Sequence, residues 1–293
     1  MNPPASSAAS ERFNVLIVRA ENSVHHEAYA GAARQLANGL RRLGRAARVA
    51  ENEIVWDATN IVVGVHLLEA EALAQMPAGT IVYNVEMAVR GSPMLEDLAC
   101  AVARFETWDY STANIAAWHA LGISDRVRHL RPGYLPEDTT ADPDTSPDID
   151  VLFYGSLNWR REGVLDAITR HGVTVHFAHN LYGPARNAMI ARSKLVLNVA
   201  SREDSVLEFA RVVHVLAHRR VLVTEFGRLE DIDDDLAAGF ARATPATFGE
   251  VCRELLADDA RRTAIAARGF AALVGRDFTA SLRNVLDARA AGS

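Results

Sequence analysis

Cysteine is nearly absent from this 293-residue chain. Cys100 and Cys252 are the two there are, far apart and outside any Cys/His spacing, which excludes a disulfide framework and a structural zinc site. Positive charge is not in excess: 37 Asp and Glu against 31 Lys and Arg leave a formal net charge of −6, the wrong balance for a protein held on nucleic-acid backbones. No apolar run approaches the ~20 residues of a membrane span. The start, MNPPASSAASE, lacks the basic and apolar regions of a signal peptide and reads as a disordered leader over residues 1–11. Neither strand-like segment, 13–20 or 150–155, runs into a G-x-G-x-x-G turn, so the sequence gives no support for a dinucleotide oxidoreductase. The acidic run DIDDDL at 231–236 reads as an exposed loop or helix start rather than a metal-binding pair at a strand end. The expectation is therefore a cytoplasmic α/β protein with no essential divalent cation and no resident cofactor.

What is present is alternation. FNVLIVRA (13–20) has the β-branched density of a strand buried on both faces. HHEAYAGAARQLANGLRRLG follows with helical spacing and Gly44 as its stop. NIVVGVHL, GTIVYNVE and FETWDYS are further strand segments, and TANIAAWHALG is another glycine-ended helix. The texture then breaks at LPEDTTADPDTSPD, a proline- and acid-rich linker, and restarts as strand 150–155 followed by three further helix–strand alternations. The tail from Thr247 onward is helical. The pattern predicts two doubly wound Rossmann-like domains, 12–135 and 149–275, joined by linker 136–148, with a final helix in 276–293 packing back on the first domain.

Open parallel sheets bind ligands beyond the carboxyl ends of their strands. In the second domain those positions hold Gly155, Ser156, Asn158, Arg160 and Arg161, then His179, Asn180, Tyr182 and Gly183, then Asn198, Glu208 and Arg211. Glycine permits close backbone approach and arginine offers a forked donor to phosphate oxygens. Glu208 and Arg211 stand i, i+3 at the start of an otherwise apolar helix and share a face. Trp159, beside Arg160 in a loop, is a candidate stacking residue, whereas Trp108 and Trp118 read as core.

The phrases DVLFYGSLNWRRE, NLYGPARNAMIARSKLVLNVA and VLEFARVVHVLAHRRVLVTE, in that order, resemble the C-terminal half of bacterial GT-B glycosyltransferases, in the branch that includes spore-maturation-type proteins. IVYNVE, ETWDYSTANIAAWHALGI and LRPGY extend the resemblance over about Phe13 to Leu282. It implies two Rossmann-like domains facing a cleft and a nucleotide-sugar donor held by the second. Gly155 and Ser156 would line the diphosphate, and Arg160 or Arg161 would neutralise it, with help from Arg211. Glu208 would reach sugar or ribose hydroxyls, and His179 to Gly183 would wall the base. Many retaining members carry a second glutamate at a spacing that here falls on Leu216, a departure from the pattern. An inverting transferase needs a base, for which His25, His26, His66, Glu86 and Asp109 at the first domain's strand ends are candidates. The acceptor and the oligomeric state are unspecified. The same shell also serves an epimerase, which turns over donor alone, or a non-catalytic binder, which leaves donor intact.

Overall fold

A computed structural model describes residues 11–20, 26–88, 94–123, 125–140, 145–203, 205, 207–225 and 234–291. Its first sheet begins with β1 (Arg12–Ile17), every residue of which after Arg12 is buried. Helix α1 (Glu27–Arg42) carries Glu27 in its first turn and Arg41 and Arg42 in its last, as the helix dipole favours. It ends at Gly44, whose φ of +75° suits glycine. There follow β2 (Ala46–Glu51), β3 (Thr59–Val63), α2 (Ala70–Gln75), β4 (Ile81–Asn84), α3 (Leu95–Arg104), β5 (Glu106–Asp109), α4 (Thr112–Ala120) and β6 (Val127–His129). The six strands are all parallel, in the order β2-β1-β3-β4-β5-β6.

The second sheet is built from β7 (Ile149–Tyr154), β8 (Val175–Ala178), β9 (Ser193–Asn198), β10 (Val221–Thr224) and β11 (Phe240–Arg242), in the order β11-β10-β9-β7-β8 and again parallel. Its crossovers are α5 (Trp159–Arg170), α6 (Gly183–Ala191), α7 (Phe209–Ala217) and α8 (Asp234–Ala237). Helices α9 (Phe248–Ala257) and α10 (Asp259–Val274) close the far face, where Phe248, Cys252, Leu255 and Ile265 share a core with Val151, Phe153, Leu195 and Val223. The near face buries Val212, Val215 and Leu216 of α7 against Leu152, Val196 and Leu222. The inner strands of both sheets have the buried-on-both-sides composition of parallel pairing, whereas the edge strands β2 and β8 are partly exposed.

Helix α11 (Phe278–Ala291) returns to the first domain. Phe278, Leu282, Val285 and Leu286 belong to one core cluster with Leu36 and Leu40 of α1 and with the first sheet. The two passages between domains lie side by side: Tyr134 N donates to Arg276 O at 2.8 Å, and Tyr134 and Asp277 form a parallel bridge. Gly133 makes this approach possible, because a Cβ there would sit 2.5 Å from Arg276 O and 2.8 Å from Phe278 N. The expected two-domain arrangement and returning helix are thus what the chain adopts, and β2, β6 and β11 are additions to the strands expected from sequence. No helix among the described residues is long and apolar enough to cross a membrane.

Candidate functional site

One wall of the interdomain cleft is the carboxyl end of the second sheet. Strand β7 ends at Tyr154, and Gly155 follows at φ +130°, a conformation that disfavours any side chain. A Cβ on Gly155 would meet Arg211 Nη2 at 3.4 Å and Arg161 Nη1 at 3.9 Å, so two guanidinium groups flank this turn. Asn158 starts α5 by accepting from Arg161 N at 2.9 Å and ties the turn to the loop after β9 by donating to Ser201 O at 2.8 Å.

The adjacent arginines diverge from there. Arg160 forms a forked pair with Glu225 at 2.7 and 2.5 Å and donates to Ala200 O at 2.9 Å. Arg161 turns inward and donates to Val199 O and Ser156 O, each at 2.9 Å, and to Glu208 at 2.8 Å. Glu208 precedes α7 and also accepts from Arg211 at 2.7 and 3.2 Å. Arg211 in turn donates to Tyr154 O at 2.7 Å and lies over the Tyr154 ring, 4.2 Å from its centroid. Burial alone would push the Glu208 carboxyl up, but Arg211 and Arg161 outweigh it and hold the group below the usual carboxylate range. Two guanidiniums on one carboxylate leave one net positive charge beside Gly155 and Ser156.

The opposite wall is the first domain. Glu86 follows β4, with its backbone fixed by Asn84, which donates to Glu86 O at 3.0 Å, and Asn114, which donates to it at 2.8 Å. Tyr29 of α1 donates to the Glu86 carboxylate at 2.7 Å and lies 3.2 Å from His66 Nε2. Burial raises the Glu86 carboxyl above its ordinary range; the Tyr29 bond opposes that shift and the Glu208 charge adds to it. Burial lowers the His66 imidazole from its ordinary range, which disfavours a second proton on the ring beside Tyr29.

Between the walls is a cavity of about 300 Å³. Of the positions the sequence singles out, Gly155, Ser156, Asn180, Tyr182, Glu208, Arg211 and Glu86 line it. Others stand behind or away from it. Asn198 is buried and donates to Thr224 at 3.0 Å, Gly183 opens α6, and His179 is exposed at the end of β8 near Phe177. Asp109 is 0% exposed and holds the loop rather than facing the cleft, accepting from Asn84, Asn114, Trp118 and Ser111 N at 2.7 to 3.0 Å. Burial pushes its carboxyl up to about 6 despite those four bonds. His26 is buried at the start of α1, 3.8 Å from Glu27, and His25 lies outside the described residues. Trp159 is 82% exposed on the first turn of α5 and does not line the cavity. Tyr29, Tyr154, Arg186 and His214 do line it, and sequence reasoning passed over them.

Two parallel Rossmann-like sheets facing one cleft, tied by a returning C-terminal helix, define a GT-B-type fold. Solved structures share it over nearly the whole chain. The Anabaena protein Alr3699/HepE, in complex with UDP and glucose, superposes with a TM-score of 0.62 at 12% identity, covering 95% of this chain and 99% of that one. WaaG, a glycosyltransferase involved in lipopolysaccharide biosynthesis, gives 0.61 at 12% identity over 94% and 98%. The α,α-trehalose 6-phosphate synthase of Burkholderia multivorans gives 0.61 at 13% identity over 97% and 100%. No protein-family model and no curated protein matches the sequence. At these identities the likeness is one of fold.

Proposed function

We propose that the protein is a hexosyltransferase that moves a sugar from a nucleotide-sugar donor to an acceptor hydroxyl without a metal ion. One observation carries this reading: a single cavity is lined on one side by Gly155, Ser156 and the Glu208–Arg211 pair, and on the other by Glu86 with its raised pKa. Arg211 and Arg161 supply fixed positive charge where a departing diphosphate needs it, in a site whose dipoles are already oriented. The acceptor oxygen would attack the anomeric carbon, the bond from that carbon to the phosphate oxygen would break with its electron pair leaving on the diphosphate, and the acceptor proton would pass to Glu86. A carboxylate whose proton affinity is raised by burial is a stronger base for that transfer. The bound UDP and glucose of the HepE structure support a nucleotide sugar as the ligand class. The order of the sequence phrases supports the spore-maturation-type branch, and a nucleotide-sugar substrate fits a cytoplasmic setting.

The test is a mass-spectrometric screen of nucleotide sugars for binding and slow hydrolysis, followed by nucleoside-diphosphate titration of wild type and Arg211→Ala. Micromolar binding that the variant loses is expected. No binding to any nucleotide would overturn the proposal.

A further inference from the structure

Among the described residues, four arginines are buried to 7% exposure or less: Arg161, Arg186, Arg211 and Arg276. Three of them meet a carboxylate, Arg161 and Arg211 at Glu208 and Arg276 at Asp235. Arg186, at 5% exposure, meets none. Its Nε and Nη2 donate to the Asn187 side-chain oxygen at 3.1 and 3.0 Å, and its Nη1 makes no hydrogen bond to a described residue. A buried cation without a counter-ion is costly, and natural chains pair such charges or present them to a ligand.

Arg186 lines the cleft, and a second orphan lies there too. Tyr154 lines the same cavity with a side chain 7% exposed, and its hydroxyl, itself sealed from solvent, has no hydrogen-bond partner among the described residues. The guanidinium is also held in place in advance, because Asn187 donates to Thr140 at 2.6 Å and so fixes the oxygen that accepts from Arg186. The surroundings add positive rather than negative charge. Arg34 of α1 and Arg211 both act on Arg186, and burial with those same cations drives the nearby His214 imidazole well below its ordinary range. Of the cleft carboxylates, Glu208 is taken by two arginines, Glu86 by Tyr29, and Asp138 by Gln35 and Leu135 N at 2.7 Å each.

We infer that Arg186 and the Tyr154 hydroxyl form an anion-binding position that takes a phosphate group of the ligand in the cleft. The inference extends the proposed function by adding a second phosphate contact to the Gly155 turn. The phosphate has two possible sources, the diphosphate of the donor or a phosphorylated acceptor, and the experiment separates them.

Thermal unfolding and calorimetric titration of the full chain with inorganic phosphate, against chloride at matched ionic strength, read the site directly. Phosphate is expected to raise the Tm of wild type, and Arg186→Gln and Tyr154→Phe are expected to lose at least tenfold in phosphate affinity. Arg186→Lys is expected to keep a weaker response. Without phosphate, Arg186→Gln is expected to be no less stable than wild type, whereas a purely structural arginine would leave a destabilised variant. An equal phosphate response in wild type and Arg186→Gln, or none beyond chloride, overturns the inference. Repeating the titration with glucose 6-phosphate under saturating UDP assigns the source: binding that persists and depends on Arg186 marks an acceptor phosphate. Binding abolished by UDP, together with a tenfold loss of UDP affinity in Arg186→Gln, marks the donor diphosphate. If UDP does not bind at all, the glycosyltransferase reading fails, while the inorganic phosphate result still decides Arg186.

Discussion

Tyr29 donates a 2.7 Å hydrogen bond to Glu86 from a hydroxyl that also lies 3.2 Å from the His66 ring nitrogen. The donated bond favours the charged carboxylate against the burial that disfavours it. Tyr29→Phe removes that support, so the Glu86 pKa rises further. The acidic limb of the kcat/KM profile is expected to move to higher pH, with the basic limb unchanged. Glu86→Gln is expected to lower kcat by ~10²- to 10⁴-fold, the range of general-base removal. A pH series on the two variants checks both.

Glu208 is the one carboxylate holding Arg161 and Arg211, whose side chains are 8% and 7% exposed. Glu208→Ala leaves two like charges buried together. The expected cost is about 3 kcal/mol, at the low end for breaking a buried pair because Glu208 itself is half-buried. Chemical denaturation of the variant, its Arg211→Met counterpart and the double variant checks this, with a double-variant cost well below the sum of the singles.

Burial raises the Asp109 and Asp138 carboxyls to about 6, while the arginines hold Glu208 low. A raised carboxyl contributes stability that is fully present below its unfolded pKa of about 4 and lost as pH climbs through about 6. The depressed Glu208 carboxyl contributes stability present above that unfolded value and lost as pH falls through its folded pKa. The depressed His66, His214 and His218 imidazoles act in the opposite sense between pH 7 and pH 5, so the carboxyl contribution is read as a difference: the gap in urea midpoint between wild type and Asp138→Asn is expected to widen from pH 7 to pH 5, and that between wild type and Glu208→Gln to close below pH 4.

At the paired interdomain passages, Gly133→Ala places a methyl group 2.5 Å from the Arg276 carbonyl, backbone against backbone with no flexible side chain to yield. Leu282→Ala empties a fully buried position under α1. Each is expected to destabilise the protein, Leu282→Ala by about 2–5 kcal/mol. Hydrogen exchange should quicken in α1 and α11 while β7 and β9 stay protected.

The parallel architecture is legible in FNVLIV and TIVYN because strands buried on both faces leave continuous apolar runs. AARVAE is not, since β2 is an edge strand with half its residues wet and no such run. The Glu208–Arg211 pair can be read from its i, i+3 spacing. The division of Arg160 from Arg161 cannot: successive helical residues point about 100° apart, and only the fold shows that one direction ends at Glu225 and the other at Glu208. Arg186 and Tyr154 are harder still, because being short of a partner is a property of every element around them. Nothing local in YGPARNA or LFYGS encodes it.

The placement of α11 has a consequence for how the molecule comes into being. Residues 278–286 complete a core whose other members lie between Phe13 and Leu135. Strands made first on the ribosome therefore wait, with one flank of α1 uncovered, until residues 278–286 have emerged. The later-made domain, whose strands and covering helices end by Val274, has all its parts before the earlier one does. The order of synthesis and the order of completion are reversed, and a stalled or truncated chain would expose the apolar side of α1 rather than the cleft.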